Sequence, residues 1–283
     1  MNKILSYSII LLILFAWWSS LTIGLSSDEY FHHINGLVRY KFLISLGEIQ
    51  KFEFRNNQFY PGLYDTISYG LGQIVFLINK KLYANNIDVI MHFVNISFST
   101  LSILGLYLLT QRLFDKKIAL ITSLLTLLNP FFFGHMGMNS KDIIVFFAFI
   151  WACYYFYLYC TEDKRTVRNL ILFSLFFGFG CGVRLTFIVV IFPVIIVGLF
   201  YLFRKYRSNY LYLAKRLIFH IPTVSFISVI LVILCWPHIM VEANKGTLFE
   251  FLSLVIKNTI NWNDGPKIGL LNGNFYEVFN TPK

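Results

Sequence analysis

The sequence predicts an all-α, polytopic membrane protein: a bundle of about seven transmembrane helices with interfacial helices in its first outer loop. Three observations predict it. First, the 283 residues are 57% hydrophobic and 19% aromatic but only 13% charged, whereas soluble domains carry about 25% charge. Second, seven runs approach the roughly 17–25 apolar residues that a bilayer crossing needs; they fall near 4–25, 88–110, 117–133, 143–160, 168–183, 185–203 and 217–236. Third, the basic residues gather in every second loop, as the cytoplasmic loops of membrane proteins do.

The first run, in MNKILSYSIILLILFAWWSSLTIGL, is longer than a signal-peptide core and carries two tryptophans, so it is expected to be a retained helix. A long outer loop, 26–87, follows. Within it YFHHINGLVRYKFLISLG has apolar positions near a 3.6-residue period with basic residues between them. PGLYDTISYGLGQIVFLINKKLY opens on a proline and continues with bulky residues. Both are expected to be helices lying in the interface plane. The third and fifth runs are short, and the fifth contains GFGCG, where small residues allow either close helix packing or a break. After the seventh run, GTLFEFLSLVIKNTI reads as another interfacial helix. The expected domains are therefore a transmembrane bundle over 1–236, including the outer loop 26–87, and an outer interfacial segment over 237–283.

Arg112, Lys116 and Lys117 follow the second run; Lys164, Arg165 and Arg168 follow the fourth; Arg204, Lys205, Arg207, Lys215 and Arg216 follow the sixth. These clusters lie two crossings apart, so all can be cytoplasmic together with Lys3 and the N-terminus. The expected location is a multi-pass integral protein of a bacterial inner or plasma membrane. The loop 26–87, the stretch GHMGMNSKD at 134–142, Arg184 and everything after Trp236 then share the outer side. The formal charge of +10 belongs to the cytoplasmic anchors, so no nucleic-acid partner is expected. Cys153, Cys160, Cys181 and Cys235 lie in or beside apolar runs without CxxC spacing, and read as small membrane hydrophobes.

The polar residues of the outer side have bland readings. Asp28 and Glu29 suit the polar end of a helix. His32 and His33, one residue apart, do not share a helix face, so a metal site there would need ligands from His135 or Asp142, and none is assigned. Lys141 and Asp142 could pair with each other. However, Asn139 and Ser140 stand where they can cap the fourth run, which would set a cation beside a helix N-terminus, a combination suited to an anion. Arg184 has no charged neighbour for more than a dozen residues on either side, and an arginine so placed is usually paired or functional. Together these residues put carboxylates and cations on one membrane face. Transfer from a lipid-phosphate donor uses such a set: a carboxylate takes the proton of an acceptor hydroxyl, and cations meet the charge growing on the phosphate. The rival readings are a transporter or flippase, which should carry charges near the bilayer midplane, and a non-catalytic assembly subunit.

SSDEYFHHINGLVRY after an uncharged first helix resembles the first outer loop of the GT-C membrane glycosyltransferases, closest to glycosyltransferase family 39, the protein O-mannosyltransferase and aminoarabinose transferase group. LLNPFFFGHMGMNSKDIIVFFAFIWACYYFYLY, GFGCGVRLTFIVVIFPV and CWPHIMVEANKGTLFEFL are similar to later segments of the same group. The resemblance implies a GT-C-like bundle and extracytoplasmic transfer of a sugar from a polyprenyl-phosphate-type carrier in the bilayer to a glycan, lipid or protein acceptor. It implies Asp28 as general base, Glu29 as its acidic neighbour, and Lys141 and Arg184 on the donor phosphate. His135, Asn139, Asp142, His32 and His33 become donor or acceptor site residues. Some members use a divalent metal and others none, so no cofactor is assigned. Members continue for several more spans, so the resemblance also implies that this chain is the N-terminal part of such an enzyme.

Overall fold

The computed structural model describes residues 2–24, 29–48, 59–260, 268–271 and 274–277. The chain divides into two compact units, Met1–Met240 and Val241–Lys283.

The first unit is helical throughout its described residues. It comprises α1 (Asn2–Thr22), α2 (Glu29–Ile44), α3 (Leu63–Ile78), α4 (Lys80–Asn85), α5 (Ile87–Leu113), α6 (Lys116–Leu128), α7 (Pro130–His135), α8 (Asp142–Thr161), α9 (Thr166–Val183), α10 (Phe187–Lys205) and α11 (Tyr210–Cys235). A further helix, α12 (His238–Lys245), runs across the boundary. The second unit contains α13 (Leu248–Ile260) and an antiparallel hairpin of β1 (Ile268–Leu271) and β2 (Asn274–Glu277). Among the described residues the hairpin is the one departure from helix and turn.

Among the described residues six helices are long and apolar enough to cross a membrane: α1, α5, α8, α9, α10 and α11. The protein is thus a multi-pass helical membrane bundle. The expected third span takes another form. Its 13-residue helix α6 stops at Asn129, whose side chain accepts hydrogen bonds from Phe131 N (3.0 Å) and Phe132 N (3.1 Å) and so starts α7 at Pro130. Proline at a first helical position loses no hydrogen bond, but it cannot continue the helix before it.

The bundle is centred on α8, which packs against α5, α9 and α10. Of its most apolar stretch 61% is buried inside the protein, against 11% for α1 and 6% for α11, so the last two form the rim. The exposed apolar side chains of the rim, such as Leu11, Leu14, Phe219 and Phe226, suit lipid and would form an untenable patch in water. The glycines of the fifth run give close packing rather than a break. α9 is continuous, and a Cβ on Gly178 would lie 2.8 Å from Ser228 Cα of α11, while one on Gly180 would lie 2.6 Å from the Phe187 ring.

Polar contacts mark the two ends of the bundle. At one end Asp163 accepts from Lys205 Nζ (3.0 Å) and Tyr206 Oη (2.7 Å), and Arg216 donates to Tyr206 Oη (2.7 Å) and to the Tyr159 carbonyl (2.9 Å). Arg112 pairs with Glu162 at 3.7 Å at this same end. The ends of α5, α8 and α10 and the starts of α9 and α11 therefore lie together. The opposite end collects the starts of α5 and α8 and the ends of α9 and α11, and α2 and α3 lie there.

Candidate functional site

The site is built on a polar stripe of α5. His92, Asn95 and Ser99 follow one another at helical spacing, and all three are fully buried. Asn95 Nδ2 donates to Gly137 O (3.0 Å) and Ser99 Oγ to Met136 O (2.8 Å), so they hold the turn between α7 and α8 through its backbone. Gly137 also lies against Ser20 of α1, where a Cβ would collide with the serine side chain. The GHMGMNSKD stretch is thus seated on two helices.

Within this turn Asn139 organises the charges. Its Oδ1 accepts from Lys141 N (3.1 Å) and Asp142 N (2.7 Å), the backbone leading into α8; its Nδ2 lies 2.9 Å from His135 Nδ1 and 3.1 Å from Asp142 Oδ2. Asp142 does not pair with its neighbour Lys141. Its Oδ1 binds Arg184 NH1 at 3.0 Å, across from the end of α9. Both side chains are about half exposed, at 46% and 53%. An exposed pair of this kind contributes only about 0–1 kcal/mol, so an incoming anion can compete with Asp142 for the arginine.

The segment between α1 and α5 supplies a second polar set. α2 crosses α3 at Gly36, where a Cβ would run into the Asp65 carbonyl. This close approach brings His32 Nδ1 to 2.7 Å from Asp65 Oδ1, while Asn35 Nδ2 donates to Asp65 Oδ2. Asn35 Oδ1 accepts from Arg39, which also donates to the Tyr60 carbonyl. All four side chains are at most 5% exposed. Burial pulls the Arg39 pKa down to about 10, partly offset by Asp65, so it stays charged at neutral pH. Burial pushes the Asp65 carboxyl up, but its contact with His32, then Arg39 and Asn35, outweighs it and leaves it below the usual carboxylate range. Asp65 and Arg39 are the ionised members of the set.

Glu29 begins α2 and is fully buried, with its Oε1 2.6 Å from His92 Nε2 of α5. His33 turns elsewhere, as its spacing from His32 requires, and rests between Tyr69 and Tyr83. Asp28 lies outside the described residues.

Two hollows flank these sets. A recess lined by His32, Gly62, Tyr64, Asp65, Ser140 and Lys141 has a volume of about 10 Å³, roughly one water. Lys141 Nζ stands over the rings of Phe31 (5.7 Å) and Tyr60 (5.6 Å). The second is an open, mostly apolar groove of about 570 Å³ bounded by Leu106, Thr122, Leu125, Phe132 and Phe146, with His135 and Asp142 also on its wall.

The structure therefore brings together His135, Asn139, Asp142 and Arg184 as one contact set, and His32 with Lys141 around one recess. Sequence reasoning missed Asp65, Asn35, Arg39 and His92. The readable signal for His92 was the buried stripe it forms with Asn95 and Ser99, polar residues at positions 92, 95 and 99 of one span. Among the described residues no group of three or more His, Cys, Asp or Glu side chains is placed to hold a metal ion.

Residues 74–239, more than half of the chain, match the family model described as dolichyl-phosphate-mannose-protein mannosyltransferase. The matched region includes His92, His135, Asn139, Lys141, Asp142 and Arg184, and starts after α2 and the first part of α3. No curated protein and no solved structure matches the chain.

Proposed function

This chain belongs to the dolichyl-phosphate-mannose-protein mannosyltransferase family, and from that premise we propose that it moves a sugar from a polyprenyl-phosphate-type donor to an acceptor hydroxyl on the extracytoplasmic side. Membership makes it a glycosyltransferase that depends on a lipid-phosphate sugar. The donor's carrier, the side of the membrane and the residue roles are the proposal. One observation carries it: the recess and the Asp142–Arg184 pair join the outer loop, the α7–α8 turn and the end of α9 at a single end of the bundle.

In this reading Asp28 takes the acceptor proton as the acceptor oxygen attacks the anomeric carbon. The bond between that carbon and the phosphate oxygen breaks, and the phosphate leaves with the electron pair. Arg184 and Lys141 meet the charge it gains, which lowers the barrier because they are already in place before reaction. His135, Asn139 and Asp142 hold the donor end of the site, with Asn139 keeping Asp142 and His135 in register. The groove leading to His135 and Asp142 gives a lipid-borne donor an apolar wall for its hydrocarbon chain.

Transfer from polyprenyl-phosphate sugar by the protein in lipid nanodiscs tests the reading. Arg184→Ala should raise the donor KM by roughly 10- to 100-fold, the worth of one hydrogen bond to a charged group; an unchanged KM would remove Arg184 from the phosphate. The sidedness has its own test. Cysteines are placed singly at positions 135 and 165, in a background lacking Cys153, Cys160, Cys181 and Cys235. In intact cells a membrane-impermeant thiol reagent should label 135 and spare 165, and the reverse pattern refutes the orientation.

A further inference from the structure

We propose that His32, held by Asp65, is a catalytic residue on which the proton of the acceptor hydroxyl comes to rest; this rests on the transfer reaction proposed above. The dyad has the geometry of an oriented imidazole base. Asp65 Oδ1 is 2.7 Å from His32 Nδ1, and Asn35 occupies the other carboxylate oxygen, so Asp65 can neither rotate nor turn to water. With Nδ1–H donated to Asp65, the tautomer is fixed and Nε2 is the acceptor. The ring lines the recess that also reaches Ser140 and Lys141. Its volume of about 10 Å³ suits a single hydroxyl-sized group.

A purely structural staple would not need this composition. Four polar or charged side chains are buried between α2 and α3, and each costs desolvation that apolar packing would avoid. Glu29 offers the contrast: it is also buried against a histidine, but neither Glu29 nor His92 lines the recess. Of these two buried carboxylate–histidine contacts among the described residues, the His32–Asp65 dyad is the one that lines this recess.

The chemistry also favours an imidazole as the final holder of the proton. Imidazole is the side chain most often used as a general base, and it is more basic than a carboxylate, so it is the better holder of the proton while the phosphate leaves. The acceptor O–H bond breaks and its electron pair forms the new bond to the anomeric carbon. The proton comes to rest on His32 Nε2, and the glycosidic electron pair departs on the phosphate. Asp65 is the positioning residue, holding the ring through Nδ1 and balancing the imidazolium.

The test uses the full chain in nanodiscs with a polyprenyl-phosphate sugar donor. His32→Gly should lower turnover by about 100-fold with donor binding little changed, and added imidazole should restore a good part of the rate by filling the vacated ring space. Asp65→Asn should lower turnover without rescue by imidazole, because its histidine is present but misdirected. A correctly folded His32→Gly protein with near-normal turnover overturns the proposal. So does a loss that imidazole leaves untouched, which would make the histidine a structural residue. Wild-type protein without transfer activity would sink the underlying transfer reading itself, and the wild-type control separates that failure from the other two.

Discussion

Asp28→Asn is expected to lower turnover by about 10²–10⁴-fold, the usual contribution of a positioned general base, while the donor KM stays nearly constant. Asparagine keeps the size and hydrogen-bonding capacity of the side chain and removes its basicity, so a rate effect without a binding effect isolates the proton transfer. The donor phosphate is assigned to Arg184 and Lys141, so the two substitutions should separate cleanly: Arg184→Ala acts first on KM, Asp28→Asn on turnover. Initial rates against donor concentration for each purified variant decide it. Near-normal turnover in Asp28→Asn would return the residue to the role of a helix-end carboxylate.

The second large effect is on stability. Glu29→Leu should destabilise the protein by about 3–5 kcal/mol, because it leaves His92 buried without its 2.6 Å partner at the junction of α2 and α5. Glu29→Gln should cost under about 1.5 kcal/mol, since an amide can still share a hydrogen bond with the imidazole. Denaturant unfolding in detergent micelles measures both. Equal losses for the two variants would show that the charge, rather than the hydrogen bond, holds the junction.

The bundle was legible because spans announce themselves by length. The clear exception was the third run, where Asn129 and Pro130 end α6 after 13 residues; the NP pair stood in the sequence but was read through as part of one apolar stretch. The turn at 134–142 was legible as well, because Asn139, Lys141 and Asp142 are polar residues set between apolar runs. Which charges would meet was not. Lys141 and Asp142 are neighbours in sequence, but Asp142, at the start of α8, pairs with Arg184, 42 residues away. Asp65 was invisible for a related reason. It is one acidic residue in an amphipathic stretch, and only its contact with His32 and Asn35, some 30 residues earlier, makes it a buried charge. Periodicity reveals which face of a helix is apolar; it carries no information on which polar groups a second helix will bring to it.

The roof over the recess also sets an order of assembly. α2 and α3 precede α5 in the chain, and their own network between His32, Asn35 and Asp65 can close before α5 is made. Glu29 must wait for His92, 63 residues later. The backbone N–H of Gly62, at the foot of α3, finds its acceptor only in the carbonyl of Cys235, the last residue of α11. The loop between α1 and α5 is therefore latched by α11, and a chain halted during insertion before α11 lacks that latch.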